Sequence, residues 1–364
     1  MQFINIANQG VKSLSPYQAG KPIEELEREL GISNIIKLAS NENPFGFPES
    51  AKQAIINQLN DLTRYPDANG FELKAAISKK FGVQATQITL GNGSNDLLEL
   101  FAHTFASEQD EIIYSQYAFI VYPLVTKAIN AVAREIPAKN WGHDLDAFLA
   151  AVNEKTKLIF IANPNNPTGN FLTEAEIDAF LAKVPANVIV VLDEAYTEFT
   201  DASERVDSFG LLAKYPNLIV SRSLSKAYGL AGLRIGYAVS NAEIADLLNR
   251  VRQPFNCNSL ALASAIAVMN DDAFVEKVAE NNRQEMQRYE AFCQAQSLDY
   301  IPSKGNFITI DFKRPAAPIY EALLREGVIV RPIAGYGMPN HLRISIGLPA
   351  ENDRLFAALV KVLG

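Results

Sequence analysis

The segment SRSLSKAYGLAGLRIGY, residues 221–237, places one lysine in a loop that directly follows a predicted strand. Small and hydroxyl-bearing residues flank Lys226. Ser223, Ser225 and Arg234 are able to face a phosphate, to which an arginine can make a bidentate contact. A lysine in a partly apolar, cation-rich site has a lowered pKa, which makes it a better nucleophile and base. The segment therefore predicts a reactive lysine beside an anion site, with an ordinary surface lysine as the alternative.

An acidic residue ends another predicted strand, in VIVVLDEAYTEF (188–199). Asp193 follows five apolar residues, so it should lie at the end of a buried strand, where a carboxylate needs a partner. A protonated pyridine nitrogen would be such a partner, and the ion pair would keep the ring ready to accept electrons. Tyr196 is placed to hydrogen-bond the phenolic oxygen of the same ring. The competing interpretation of Asp193 is a helix N-cap.

A loop rich in asparagine and proline follows a third strand, in IFIANPNNPTG (159–169). Two Asn-Pro pairs and a glycine predict an irregular, rigid loop. The side-chain amide of Asn166 is then held where it can donate a hydrogen bond. A plain turn is the alternative, but the NNPTG string is too specific for us to prefer it.

A glycine-rich turn joins a fourth strand to a helix, in ITLGNGSNDLLEL (88–100). The free N–H groups at a helix N-terminus favour a phosphate dianion, and glycine lets the backbone approach it closely. Ser94 and Asn95 would present amides and side-chain donors there. The alternative is an N-capped helix with no ligand.

Short apolar strands alternate with longer amphipathic segments through the middle of the chain. The predicted strands are Ile88–Leu90, Glu111–Tyr114, Leu158–Ala162, Val188–Leu192 and Leu218–Ser221, and the predicted helices include Asp96–Phe105 and Glu174–Lys183. Such strands are typical of a sheet covered on both faces, and the alternation predicts a mostly parallel α/β sheet. Ligands bind at the carboxyl ends of the strands in such sheets, where the four segments lie.

We expect three parts along the chain. Residues 1–45 form an N-terminal segment that packs with a small domain, residues 46–252 form the large domain, and residues 253–364 form the small α+β domain. The small domain should contain the strands Phe307–Asp311, Val328–Arg331 and Leu342–Ile346.

The composition excludes several classes of protein. The chain has 364 residues, 48% of them hydrophobic, and a net charge of −8 without a basic cluster, which argues against a nucleic-acid partner. Its two cysteines form no CxxC pair and its three histidines are scattered, so we predict no metal site. No stretch approaches the roughly 18 apolar residues of a membrane span, and the N-terminus does not read as a signal peptide, so we expect no membrane partner and a cytoplasmic location.

The order and spacing of the four segments resemble those of fold-type I aminotransferases, which use pyridoxal 5′-phosphate. The shared pattern is a phosphate turn, an Asn-Pro loop, Asp-x-x-Tyr, and Ser-x-Ser-Lys with an arginine eight residues beyond the lysine. Further segments resemble histidinol-phosphate aminotransferases, so the resemblance covers nearly the whole chain: LSPYQAGKP (14–22), KLASNENPFG (37–46), RYPD (64–67), VIVRP (328–332) and LRISIG (342–347).

The resemblance implies a role for each matching residue. Lys226 corresponds to the lysine that carries the cofactor as a Schiff base and shuttles the proton of the substrate. Asp193 corresponds to the partner of the pyridine nitrogen, and Asn166 and Tyr196 to the donors to the ring oxygen O3′. The expected phosphate cup contains Ser94, Asn95, Ser223, Ser225 and Arg234.

Other matching residues are expected around the rim of the site. Phe119 corresponds to the aromatic residue that stacks on the pyridine ring. Tyr65 resembles a tyrosine that reaches the cofactor phosphate of a neighbouring subunit, which implies a homodimer with shared active sites. Arg343 resembles the arginine that binds the anionic group of the substrate, and Tyr17 and Arg331 resemble residues close to the substrate's phosphate.

Two positions depart from the pattern of the relatives. The cup reads Gly-Ser-Asn-Asp at residues 93–96, where many relatives have Gly-(Ser/Ala)-Asp-Glu, but backbone amides do most of the binding there. The stacking position is Phe119 rather than tyrosine, and Tyr117 and Tyr122 lie nearby in sequence. Which of these rings stacks is therefore open.

The resemblance implies transamination between the small molecules L-histidinol phosphate and 2-oxoglutarate. The nearest alternative is the same chemistry on aromatic amino acids, since such enzymes share these motifs. A lyase or decarboxylase of the same fold is a more distant alternative. A non-catalytic effector module of this fold is disfavoured by the negative net charge.

Overall fold

A computed structural model describes residues 2–17 and 20–364, which form a central seven-stranded sheet, a four-stranded antiparallel sheet and a two-stranded ribbon. The strands are β1 (Ile36–Lys37), β2 (Ile88–Gly91), β3 (Glu111–Ser115), β4 (Val132–Ile136), β5 (Thr156–Ala162), β6 (Ile189–Asp193), β7 (Leu218–Ser223), β8 (Gly236–Ser240), β9 (Asp299–Ile301), β10 (Phe307–Asp311), β11 (Val328–Ile329), β12 (Arg331–Pro332) and β13 (His341–Ser345).

Helices cover both faces of the central sheet and surround the smaller ones. They are α1 (Gln9–Lys12), α2 (Ile23–Leu30), α3 (Glu49–Gln58), α4 (Phe71–Phe81), α5 (Ser94–Phe105), α6 (Val121–Ala128), α7 (Leu145–Ala151), α8 (Glu174–Leu181), α9 (Ser208–Lys214), α10 (Ala242–Val251), α11 (Ser259–Met269), α12 (Asp272–Ala295), α13 (Ala316–Arg325) and α14 (Pro349–Leu363).

The central sheet has the order β2-β8-β7-β6-β5-β3-β4, in which only β8 runs antiparallel to its neighbours. Its middle strands are apolar and buried because helices pack on both faces, as the continuous hydrophobic runs predict. The predicted α/β class is confirmed. The parallel direction of β5, β6 and β7 brings their carboxyl ends to one edge, where the candidate site lies.

The smaller sheet has the order β12-β13-β10-β9 and lies over a core of its own. The ribbon pairs β1 with β11 in parallel, so residues near the N-terminus are tied to the C-terminal part of the chain. Helix α11 follows the expected boundary at residue 252, but it packs into the core beside β2 and β8 of the central sheet. The division of the chain at residues 45 and 252 stays a prediction.

The structure corrects one predicted strand and adds others. Residues Val328–Arg331 do not form one strand, because β11 pairs with β1 whereas β12 pairs with β13 in the four-stranded sheet. Pro332 lacks an N–H group, which limits β12 to an edge position. The sequence did not predict β4, whose residues are mostly exposed, nor β1, β8 and β9.

Candidate active site

A cavity of about 260 Å³ opens at the carboxyl ends of β5, β6 and β7 and at the start of α5. It brings together every predicted site residue except Tyr65. Those that line it are Tyr17, Ser94, Asn95, Phe119, Asn166, Asp193, Tyr196, Ser223, Ser225, Lys226, Arg234, Arg331 and Arg343. Residues separated by more than 300 positions in sequence thus meet in one pocket.

Lys226 lies in the loop after β7, where its Nζ donates a hydrogen bond to the carbonyl of Ser40 at 3.0 Å. Burial, reinforced by the positive charge of Arg343, lowers the pKa of Lys226 to about 8. The uncharged amine is therefore a minority near neutral pH, but a far larger fraction than in an ordinary lysine, and it is the form that a nucleophile requires.

Asp193 ends β6 with one carboxylate oxygen paired and the other free. Its Oδ2 accepts a hydrogen bond from the hydroxyl of Tyr122 at 2.9 Å, whereas Oδ1 is buried without a hydrogen-bond partner among the described residues. Burial raises the pKa of Asp193 to about 6. A buried, half-satisfied carboxylate facing a cavity fits a ligand that brings a positively charged N–H group.

A chain of hydrogen bonds orients the hydroxyl of Tyr196. This oxygen accepts from the side-chain amides of Asn41 at 3.0 Å and Asn166 at 3.2 Å. Both acceptor positions of the hydroxyl are then in use, so its own proton is available to a ligand oxygen. Arg343 fixes the second amide, since its Nη1 donates to Oδ1 of Asn166 at 2.6 Å.

The start of α5 forms an open cradle for an anion. Its N-cap, Gly93, has φ of 82° and no side-chain cap, so the first amides of the helix remain available in the cavity. A Cβ at Gly93 would lie 2.4 Å from Nη2 of Arg234, so only glycine admits the guanidinium. Ser223 accepts from the amide of Ser225 at 3.2 Å, and both hydroxyls line the same cavity. The amides, the two hydroxyls and the guanidinium give this cradle the donors and the positive charge that a phosphate requires.

The structure distinguishes the three aromatic residues near position 120. Phe119 lines the cavity, whereas Tyr122 is stacked on Phe160 at 4.6 Å and uses its hydroxyl on Asp193. Tyr117 packs against Trp141 at 5.3 Å. Of the three rings, Phe119 is the one that lines the cavity, and its stacking on a ligand stays a prediction.

Two arginines of the four-stranded sheet line the same cavity. Arg331 and Arg343 are cross-strand partners in β12 and β13, and Nη2 of Arg331 donates to the hydroxyl of Tyr17 at 3.2 Å. Arg343 is buried, donates to the carbonyl of Ala39 at 2.8 Å, and has no acidic partner among the described residues. Burial lowers the pKa of its guanidinium. An anionic substrate group would compensate this buried charge.

Comparison with known proteins agrees with this geometry. The family model of class I and II aminotransferases matches residues 33–359. The chain belongs to this family. A protein of Haemophilus influenzae named histidinol-phosphate aminotransferase 2 is 84% identical over 363 residues, covering 100% of this chain and 99% of that protein. A Mannheimia succiniciproducens protein named histidinol-phosphate aminotransferase 1 is 81% identical, with the same coverage.

A solved structure supports the fold of this aminotransferase over its whole length. The histidinol-phosphate aminotransferase of Sinorhizobium meliloti, in complex with pyridoxal-5′-phosphate, is 28% identical and superimposes with a TM-score of 0.89. The match covers 98% of this chain and 96% of that one.

Tyr65 lies outside the cavity of its own chain. It is 83% exposed and stacks on Phe255, with ring centroids 4.6 Å apart. Phe71, close by in sequence, is 66% exposed, so the aminotransferase presents aromatic surface here.

Two residues that this site uses are not predicted by the sequence patterns. Tyr122 holds Asp193, and we considered it only as a stacking ring. Asn41 supports Tyr196 from a backbone with φ of 54°, a conformation that asparagine tolerates better than most residues. Its place in the polar string SNEN was the available signal, because four consecutive polar residues directly after the apolar Leu38 and Ala39 need partners where they are buried.

The described residues contain no cluster of His, Cys, Asp or Glu able to hold a metal ion. Within the same residues, no helix has the length and apolar character needed to cross a membrane.

Proposed function

We propose that this aminotransferase transfers the amino group of L-histidinol phosphate to 2-oxoglutarate, giving imidazole-acetol phosphate and glutamate, with pyridoxal 5′-phosphate as cofactor. The observation that carries the proposal is one cavity that a half-buried lysine, an open phosphate cradle and a half-paired carboxylate line together. Two relatives over 80% identical bear the name of this activity.

The residues present fit the cofactor at each of its polar groups. Pyridoxal phosphate, when bound, supplies an aldehyde that takes up amino groups and a ring that stores the electrons released with the α-proton of the substrate. The amides of Ser94 and Asn95 would hold the phosphate, together with Arg234. Oδ1 of Asp193 would hold the ring nitrogen, and the hydroxyl of Tyr196 the ring oxygen.

Lys226 performs the proton transfers in this scheme. Its Nζ is the only lysine amine in the described lining of the cavity, and its lowered pKa leaves it uncharged often enough to accept the α-proton of the substrate. The same atom returns a proton when the product is formed. Asn41 and Asn166 keep the hydroxyl of Tyr196 oriented throughout.

Substrate choice rests on the two arginines and Tyr17. Two guanidinium groups and a phenol suit a phosphate dianion better than a single carboxylate, because each arginine can give a two-pronged contact. Arg331 would serve mainly the phosphorylated substrate, and Arg343 both that substrate and glutamate.

The proposal includes a homodimer with shared active sites. The exposed aromatic surface around Tyr65, Phe71 and Phe255 supports an interface there, and Tyr65 would reach the cofactor phosphate of the partner subunit. The cytoplasmic location of the enzyme stays a prediction.

One assay tests the activity directly. The purified protein is loaded with glutamate as amino donor and offered imidazole-acetol phosphate and the keto forms of phenylalanine and tyrosine. We expect kcat/KM to be highest for imidazole-acetol phosphate. A preference for the aromatic keto acids would replace the proposal with an aromatic aminotransferase. Product formation from histidinol phosphate that continues over many turnovers without a keto acceptor would indicate a lyase, because a transaminase stops after one half-reaction.

A further inference from the structure

An asparagine outside the cavity holds both ends of the phosphate turn, which is formed by residues 91–95 between β2 and α5. Nδ2 of Asn256 donates to the carbonyl of Leu90 at 3.1 Å, at the end of β2, and to Oδ2 of Asp96 at 2.8 Å, in the first turn of α5. The turn that holds the phosphate amides lies between these two points. Asn256 itself does not line the cavity.

The orientation of this amide is fixed by Arg252. Nη1 of Arg252 lies 2.6 Å from Oδ1 of Asn256, and a guanidinium only donates hydrogen bonds. The oxygen must therefore face the arginine, which directs the NH₂ group to the turn. Arg252 is held in turn by Oδ1 of Asn249 at 3.1 Å and by the carbonyl of Ala68 at 2.8 Å.

The contact with Asp96 fixes the position of a negative charge in the first turn of α5, close to the amides that would bind the phosphate. The first turn of a helix attracts anions, so a carboxylate there competes with a phosphate for the same amides and repels it. Oδ2 of Asp96 accepts from the amide of Asn92 at 2.8 Å as well as from Asn256. These two bonds hold the carboxylate behind the turn, since Ser94 and Asn95 line the cavity and Asp96 does not.

We propose that Asn256, oriented by Arg252, is a positioning residue that keeps the phosphate turn open by holding Asp96 away from it. The inference rests on the proposed function, because it requires a phosphate-bearing cofactor. Asn256 then governs how tightly the chain binds the phosphate of the cofactor, and has little influence on the ring.

The test compares pyridoxal 5′-phosphate with pyridoxal, which lacks the phosphate. Asn256→Asp keeps the shape of the side chain, replaces the donor by an acceptor and adds a charge beside Asp96. The affinity of the full-length apoprotein for pyridoxal phosphate should fall on the order of tenfold or more, the scale of a lost hydrogen bond to a charged group. Its affinity for pyridoxal should change less than twofold.

Asn249→Asp is the matched control. It adds the same charge and keeps an acceptor for Nε of Arg252, but it does not touch the turn. Its preference for pyridoxal phosphate over pyridoxal should equal that of the wild type. Asn256→Ser removes the clamp without a charge and provides the same comparison where the aspartate variant does not fold.

Exchanging the two side chains of the contact tests whether the preference for the phosphate can be rescued. Combining Asn256→Asp with Asp96→Asn restores one donor and one acceptor with their roles reversed, so part of the lost phosphate preference should return. An unchanged preference in Asn256→Asp, or equal losses for both ligands, overturns the inference. A wild-type protein that binds both ligands equally, or binds neither at Lys226, overturns the proposed function instead.

Discussion

Lys226 should react with the cofactor aldehyde at a lower pH than an ordinary lysine. Burial and Arg343 lower its pKa to about 8, so the neutral amine predominates above that pH and its fraction declines as the pH falls below it. The rate at which added cofactor becomes attached should therefore rise with pH and level off slightly above 8. Stopped-flow absorbance of the apoprotein measures this rate.

The control for this measurement is Lys226→Ala, which should bind the cofactor without covalent attachment and lose essentially all turnover. Borohydride reduction followed by peptide mapping identifies the attached residue. Labelling of a different lysine, or a rate that still rises steeply at pH 10, would contradict the assignment.

Asp193 should matter through its charge rather than its shape. Asp193→Asn preserves an acceptor for the hydroxyl of Tyr122 but offers no negative charge to the ring nitrogen. We expect cofactor binding to persist and turnover to fall about 100-fold or more, the scale of losing one preorganised electrostatic partner. Single-turnover absorbance measures this loss, with Tyr122→Phe as a control that removes only the hydrogen bond. Near-normal turnover in Asp193→Asn would show that the carboxylate has another role.

At the level of elements, strands β12 and β13 place their two arginines side by side. Arg331→Ala should raise KM for histidinol phosphate much more than KM for glutamate, whereas Arg343→Ala should damage both half-reactions. Following each half-reaction separately by its absorbance change distinguishes these effects. An Arg331→Ala enzyme with unchanged KM for histidinol phosphate would remove the structural basis for preferring a phosphorylated substrate.

The same elements show what the sequence could and could not predict. The apolar runs of β5, β6 and β7 predict these strands from sequence alone. Each run leads into a polar residue that enters the site, so local patterns were sufficient to predict both the strands and these site residues. The break between β11 and β12 depends on a pairing with β1 almost 300 residues away, which no local pattern records. Edge strand β4 was missed for a related reason, because its exposed side chains lack the hydrophobic signal.

The site residues also fall into those that a local sequence pattern predicts and those that only a long-range contact explains. Lys226 and Asp193 stand at strand ends and carry chemistry that their neighbours in sequence make recognisable. Asn41, Tyr122 and Asn256 act by supporting another side chain, and their partners lie 70 or more positions away. Their roles follow only from the three-dimensional arrangement, because a hydrogen-bond partner at that distance in sequence leaves no local signature.

The exposed ring of Tyr65 leads to a prediction about the whole molecule. If Tyr65 completes the partner's phosphate site, Tyr65→Phe should lower the affinity for pyridoxal phosphate about tenfold, the scale of a lost hydrogen bond to a charged group. The site of its own chain contains nothing that this change touches. Titration of the apoprotein with cofactor measures the affinity, and sedimentation gives the oligomeric state.

A hybrid dimer separates a shared site from an indirect effect. One subunit carries Tyr65→Phe and the other Lys226→Ala, so only the first can attach the cofactor covalently. In a shared-site dimer, the phosphate at that lysine is contacted by the intact Tyr65 of the Lys226→Ala subunit. The hybrid should therefore attach pyridoxal phosphate with wild-type affinity at one site per dimer, although the Tyr65→Phe homodimer does not. A hybrid as weak as that homodimer would mean that Tyr65 acts within its own chain, and full activity in a monomer would rule out the shared site altogether.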